Sequence, residues 1–293
     1  MTTDTATDVF EDHRPLLLGV AYRMLGRVAD AEDVVQDAWL RWSAADRADV
    51  REPRAYLVRI TTRLALDRLA RVKARNEAYV GPWLPEPYVT HFGDTVQDSA
   101  EQAVLADSVS LAVLVVLESL SPLERAVFVL REAFGYPYAE IATVLDRAEP
   151  AVRQLAGRAR RHVEERRPRY EVDPVQRREL TERFLAAAAE GDLEGLMALL
   201  APDARLVGDS GGKAKAPLRV LESADHVGRF LVGAARKSVP DLSFRFLEVN
   251  GGLALLALSG DKPDAVFQLD VAEGRVQAVY VIRNPDKLRT LTA

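Results

Sequence analysis

The chain has 293 residues, 48% hydrophobic and 28% charged, with 39 basic against 44 acidic side chains. That length predicts about two compact units, and the apolar content suffices for real cores, which excludes wholesale disorder. The lack of cysteine excludes disulfides, thiolate catalysis and cysteine-ligated zinc, and four histidines leave little for another transition-metal site. The longest apolar run, Leu111 to Leu117, is far shorter than the roughly 20 residues that cross a bilayer. The opening Met1-Thr-Thr-Asp-Thr lacks the pattern of a secretory signal, so the expected location is the cytoplasm, with no membrane partner.

The net charge of -5 is unevenly spread. Residues 1–50 hold 5 basic and 10 acidic groups, whereas residues 51–80 hold 8 and 3. Residues 81–117 hold five acids and neither Lys nor Arg, and residues 118–170 return to 10 basic against 8 acidic. Two confined basic segments in an acidic chain point to local phosphate contact and exclude an indiscriminate polyanion binder.

In chain order, helical periodicity runs from Leu16 to about Arg75. Ala31, Val34, Val35, Ala38 and Trp42 form one apolar stripe, with Asp30 as the expected N-cap. The opposite face carries Asp33, Gln36, Asp37 and, between them, Leu40, a pattern that suits protein docking. Pro53 opens a second long helix as a first-turn proline. Its Arg59, Arg63, Arg68, Arg71, Lys73 and Arg75, beside Tyr56 and Tyr79, suit backbone contact with stacking of unpaired bases. The prolines at 82, 85 and 87 then predict an extended linker, acidic and free of helix, over residues 81–105.

Ser121-Pro-Leu-Glu124 is a capping-box start. Tyr138–Leu145 and about Glu149–Arg166 predict a short helix, a tight turn and a longer helix, which is helix-turn-helix geometry. Val152, Leu155, Ala156, Ala159 and Val163 form the inner stripe of the second helix. Its outer face holds Pro150, Arg153, Gln154, Gly157, Arg158 and Arg161, placed to meet base edges and phosphates in a major groove. Pro168 and Pro174 bracket a second linker. Two helices (about Val175–Glu190 and Leu193–Leu200) precede strand-like segments around Arg205, Arg219 and Ser243, then Leu253–Leu258, Ala265–Val271 and Val276–Ile282, an α+β order.

Together these segments resemble a bacterial sigma factor of the extracytoplasmic-function group within the sigma-70 family. Asp30-Ala-Glu-Asp-Val-Val-Gln-Asp-Ala-Trp-Leu-Arg-Trp42 is similar to the part of region two that docks on core RNA polymerase, which implies Asp33, Gln36, Asp37 and Leu40 as contacts. Pro53 to Ile60 and Leu66-Asp-Arg-Leu69 resemble the part that recognises and melts the −10 element, implying Tyr56, Arg59, Arg63, Arg68 and Arg71. Ser121–Phe128, Tyr138–Leu145 and Ala151–Leu155 resemble region four, which reads the −35 element, implying Pro150, Arg153, Gln154, Arg158 and Arg161. Ala148 stands where this group usually has a Ser or Thr cap, and Asp146 where glycine is frequent.

Residues 169–293 resemble a SnoaL-like domain of the nuclear transport factor 2-like fold, whose fusion to such sigma factors defines a subgroup. Trp83-Leu-Pro-Glu-Pro87, Gly208-Asp-Ser-Gly-Gly-Lys213 and Asn284-Pro-Asp-Lys-Leu288 look like that subgroup's signatures. The resemblance implies regulation in cis, with Trp83, Asp209, Lys213, Asn284, Asp286 and Lys287 as regulatory contacts. Gly208–Lys213 fails as a phosphate loop on spacing and lacks Ser or Thr after its lysine. A flexible turn presenting Asp209 and Lys213 to a neighbouring domain is expected instead.

The expected architecture is therefore multidomain: two all-α sigma domains (1–80 and 106–168), the second a helix-turn-helix, then an α+β cone domain. The expected partners are core RNA polymerase and promoter DNA, with a small-molecule ligand in the cone left open. The chain is expected to have no cofactor, no metal site and no catalytic residue of its own. Two alternatives remain at this stage: a one-component helix-turn-helix regulator with a ligand-sensing domain, and a fused SnoaL-like isomerase or cyclase using His226, Asp203 or Asp270.

Overall fold

The computed structural model describes residues 3–46, 50–92, 110–165, 173–235 and 241–291, without the side chains of 3–5, 73–77, 90–92, 174 and 290. It divides into two compact units, residues 1–78 with 97–167, and residues 79–96 with 168–293. The predicted linker is thus split, and its first half groups with the C-terminal domain. Most of the remainder, residues 93–105, lies outside the described residues, as do the side chains of Lys73 and Arg75.

The first unit opens with three helices, α1 (Thr3–Leu25), α2 (Val28–Ala44) and α3 (Pro53–Glu77). Helix α1 starts well before the periodicity at Leu16 and carries Pro15 inside it. Its start is tied down by tertiary contact, since the Trp42 indole N–H donates to the Ala6 carbonyl at 2.9 Å. The predicted α2 stripe is buried, Val34, Val35, Ala38 and Trp42 each being 2% exposed or less. Asp30 is not the N-cap; Arg27 takes that position without a side-chain bond. Asp30 lies one turn inside and is buried, its carboxylate held by Arg68 from α3 at 2.6 Å.

The same unit continues with α4 (Leu111–Leu117), α5 (Pro122–Phe128), a π-helical turn at Val129–Ala133, α6 (Tyr138–Leu145) and α7 (Glu149–Glu164). Both halves of the Ser121/Glu124 capping box are made. Asp146 ends α6 in the left-handed conformation (φ 53°), which a short polar side chain tolerates. Helix α7 has Ala148 at its N-cap with no side-chain bond, and buries all five predicted stripe residues. Arginines join the later helices to the first three: Arg125 Nε on α5 donates to the Arg23 carbonyl at 3.0 Å, and Arg63 Nε on α3 to the Val144 carbonyl of α6 at 3.2 Å. Both acceptors lie in the last turn of a helix, where carbonyls lack intrahelical partners and the dipole favours cations.

In the second unit, α8 (Pro174–Glu190), α9 (Leu193–Leu199) and α10 (Ala224–Ala235) accompany a seven-stranded sheet. Its strands are β1 (Val89–Phe92), β2 (Leu200–Asp209), β3 (Leu221–Glu222), β4 (Leu242–Val249), β5 (Gly252–Ser259), β6 (Lys262–Ala272) and β7 (Arg275–Ile282). The order is β1-β4-β5-β6-β7-β2-β3, with β2 and β7 parallel and every other pair antiparallel. Leu180, Phe184, Leu196, Leu199, Val227 and Leu231 pack the helices onto Leu206, Leu269, Val279 and Val281 of the sheet, the arrangement that a SnoaL-like cone implies. The surprise is β1. It comes from the linker, and pairs through Val89, His91 and Phe92 with the end of β4. Among the described residues, no helix is long and apolar enough to cross a membrane.

Glu124 anchors one prediction. Its carboxyl is held below the usual range by the Ser121 hydroxyl and then by Arg158. A depressed carboxylate stabilises the fold above its unfolded value, and that contribution is lost as the pH falls through the folded value. Ser121→Ala is expected to lower stability by about 1 kcal/mol near neutral pH. The deficit should shrink in denaturant titrations run below the ordinary glutamate range.

Candidate functional site

The predicted docking face of α2 is solvent-exposed as a set. Gln36 and Asp37 are open, Asp33 is half-exposed and Leu40 is 57% exposed, a large apolar side chain with no core to fill. Buried Val34, Val35 and Ala38 on the opposite side orient this face outward. Asp33 also receives Arg68 Nη2 at 2.6 Å, so one guanidinium joins Asp30 and Asp33 and ties α3 to α2.

The basic residues of α3 divide by environment. Arg71 is exposed, and Arg59 lies over the half-buried Tyr56 ring at 5.4 Å. Tyr56 leans on Trp42 with ring centroids 5.9 Å apart. Arg63 and Arg68 are engaged, the first with α6 and the second with α2. Tyr79, read from sequence as a stacking aromatic beside these arginines, belongs to the other unit and is spoken for there.

On α7 the outer residues Pro150, Arg153, Gln154, Arg158 and Arg161 are all exposed. Arg153 pairs with Glu149 and lies 4.7 Å from the Tyr138 ring centroid, while Arg158 pairs with Glu124 at 2.8 Å. Such surface pairs contribute about 0–1 kcal/mol, little enough for a DNA phosphate or base to displace them.

The third cluster lies within the second unit. Asp209 is the last residue of β2 and fully buried, not part of a flexible turn. Its Oδ1 accepts the Tyr79 hydroxyl at 2.5 Å, and its Oδ2 accepts the Leu84 amide at 2.8 Å and the Lys287 ammonium at 2.6 Å. Lys287, 2% exposed, also donates to the Leu84 carbonyl and sits 4.1 Å from the Trp83 ring centroid. Asn284 Nδ2 donates to the Tyr79 oxygen at 2.6 Å. A buried pair is tolerable only with such saturation, because desolvating two charges costs several kcal/mol per ion. Lys213 stays on the surface, bonded to Asp286. Gly211 (φ 56°) and Gly212 (φ 73°) let the linker approach: a Cβ on Gly211 would meet the Tyr79 hydroxyl at 2.8 Å, and one on Gly212 would meet Val80 at 3.2 Å. Sequence reading found Trp83, Asp209, Asn284 and Lys287 by resemblance but missed Tyr79 and Leu84 as their partners. Leu84 contributes only backbone atoms, which leave no side-chain signal.

The helices and sheet also enclose a cavity of about 1380 Å³, lined chiefly by apolar side chains including Phe184, Phe230, Phe244, Phe246 and Phe267. Neither His226, Asp203 nor Asp270 lines it. His226 is exposed, with a ring nitrogen 2.9 Å from the Glu222 carbonyl, and Asp203 is exposed. Asp270 faces Tyr280, whose hydroxyl is pushed up by burial and then by that carboxylate.

The description of Sigma-70 region 2 matches residues 9–75 and that of Sigma-70 region 4 matches residues 110–163. The extracytoplasmic-function sigma factor SigJ of Mycobacterium tuberculosis H37Rv is 41% identical over 288 residues, which cover 95% of this chain and 91% of SigJ. The chain belongs to the extracytoplasmic-function sigma factors. A probable sigma factor of the same group, SigI of M. tuberculosis, is 34% identical over 99% of this chain and 97% of its own length. The crystal structure of M. tuberculosis SigJ superposes with a TM-score of 0.77 at 38% identity, covering 96% of this chain and 98% of that one. As a member of this family the chain is a sigma factor, a DNA-binding transcription-initiation protein whose partners are core RNA polymerase and promoter DNA. The match extends through the cone domain, so that domain is shared with these relatives over nearly its whole length.

Lys287→Met leaves Asp209 as an uncompensated buried charge and is expected to cost about 3–5 kcal/mol of stability in the second unit. In denaturant unfolding followed by Trp fluorescence, Asp209→Asn added to Lys287→Met should recover part of that loss. Additive losses would show that the two side chains act independently.

Proposed function

We propose that this sigma factor is regulated in cis by its cone domain, which holds the linker between regions two and four. The observation that carries the reading is the linker's placement. Residues 79–92, which follow α3 directly, are clamped by Asp209 and Lys287 and contribute strand β1 to the cone domain's sheet. A linker bound in this way is not free to follow the two sigma regions onto polymerase, so the clamped and polymerase-engaged states compete. Asp33, Gln36, Asp37 and Leu40 form the contact with core polymerase. Tyr56, Arg59, Arg63, Arg68 and Arg71 act at the −10 element, and Pro150, Arg153, Gln154, Arg158 and Arg161 at the −35 element. Trp83, Asp209, Asn284 and Lys287 make the regulatory clamp, with Lys213 and Asp286 as its surface pair. The protein acts in the cytoplasm and uses no catalytic residue of its own. The isomerase alternative is disfavoured because its candidate residues are not among those lining the cavity.

Promoter-dependent transcription with core polymerase tests the reading on the full chain. Asp37→Arg should abolish polymerase capture in pull-down while leaving the circular dichroism spectrum unchanged; capture at wild-type level removes α2 as the docking helix. Arg153→Ala should weaken −35-dependent initiation by about 1–3 kcal/mol, or roughly 5- to 150-fold, if it contacts a base. Equal loss on promoters with and without a −35 element would assign it to phosphate contact instead. Gly211→Ala, which obstructs the linker, should change promoter output while sparing polymerase capture; unaltered output rejects control through the linker.

A further inference from the structure

The cavity and the linker clamp adjoin at Arg283. Arg283, the first residue after β7, has its side chain in the cavity wall. There it donates to both Asp264 oxygens at 2.7 Å and to the Lys215 carbonyl at 2.8 Å. Its backbone N–H donates to the Asp209 carbonyl at 2.7 Å, and the next residue, Asn284, bonds Tyr79. Ala214, Lys215, Ala216 and Pro217 also line the cavity, directly after Gly211 and Gly212, on which the linker rests. Two short stretches of backbone, residues 211–217 and 283–284, thus run between the linker and the cavity wall.

The lining also specifies an occupant. Five of the chain's nine phenylalanines surround the cavity, and Phe244 (50% exposed) and Leu242 (40%) stand at its opening on β4. Large exposed apolar side chains around a concavity mark a ligand site rather than a core. Among the described residues, the lining cations are Lys215, Arg229 and Arg283 against the anions Glu182 and Asp264. Asp264 is satisfied by Arg283, whereas among the described residues the buried Nε of Arg283 has no hydrogen-bond partner and Lys215 shows no ion pair. These features fit a molecule with an apolar aromatic or fused-ring body and one acidic group.

We infer that the cone cavity binds such a ligand and that Arg283 transmits its occupancy to the linker clamp. The inference rests on the reading that the clamp controls the sigma regions, but ligand binding and its transmission are measurable without transcription.

The test uses the full chain and 1-anilinonaphthalene-8-sulfonate, which has two aromatic ring systems and one sulfonate. Fluorescence titration is expected to give saturable binding at one site per chain. Ala257→Trp, which fills the cavity from β5, should weaken binding at least tenfold, and Phe244→Ser, at the half-exposed opening, several-fold. The second variant alters no core packing, so it decides the matter if the first does not fold. Binding unchanged by the opening variant overturns the site. Hydrogen exchange of the Leu84 amide, read by mass spectrometry over residues 79–92, should change at least threefold at saturation in the wild type. In Arg283→Lys the probe should bind more weakly, and at saturating probe this response should disappear. Binding without an exchange response in the wild type, or a full response in Arg283→Lys, overturns transmission through Arg283. If binding and response hold while Gly211→Ala leaves promoter output unchanged, the ligand site stands and the proposed control of transcription falls.

Discussion

The second unit depends on the ion pair of Asp209 and Lys287. Two charges with almost no solvent contact must be completely satisfied by neighbours. Much of that satisfaction comes from the linker: the Tyr79 hydroxyl, the Leu84 amide and carbonyl, and the Trp83 ring. Removing the linker would leave the buried pair short of these hydrogen bonds, so the cone domain's interior chemistry draws on a segment 125 to 130 residues from Asp209 and 203 from Lys287. The coupling is reciprocal, because anything that loosens the pair also releases the linker.

The first unit uses a different device. Arg125 and Arg63 reach across between its helices to carbonyls at the ends of α1 and α6. Guanidinium groups suit this work because they stay charged and present several donors in a planar fork. Arg63 is also one of the proposed −10 contacts, so a nucleic-acid phosphate and the Val144 carbonyl are alternative partners for one side chain. Arg68 is similarly placed between the proposed docking and melting helices, bonding Asp30 and Asp33 from α3. Some residues assigned to recognition are therefore also part of the internal framework of the free protein.

The cone domain shows how a fold hosts different roles on one scaffold. Its cavity is large and apolar, and both carboxylates in its lining are ion-paired, Asp264 through Nη2 of Arg283 and Glu182 with Arg178. A general base needs a free carboxylate or imidazole aimed at the substrate. The lining suits the proposed binding, and the proposed connection to the clamp runs through backbone.

Much was legible in the amino-acid order. The apolar stripes of α2 and α7, the Ser121/Glu124 box, Pro53 at a helix start and left-handed Asp146 are local features, set by residues within a few turns of one another. The exposed faces of α2 and α7 follow directly from those stripes. What tertiary structure alone decided is long-range: Asp30 as a buried anchor, Tyr79 as a partner of Asp209, β1 as a strand and the Arg283 amide on the Asp209 carbonyl. Each depends on partners tens to hundreds of residues away, or on backbone groups that every residue carries. Sequence spacing reports side-chain direction along one element, but which buried charge meets which donor is decided only when the elements pack.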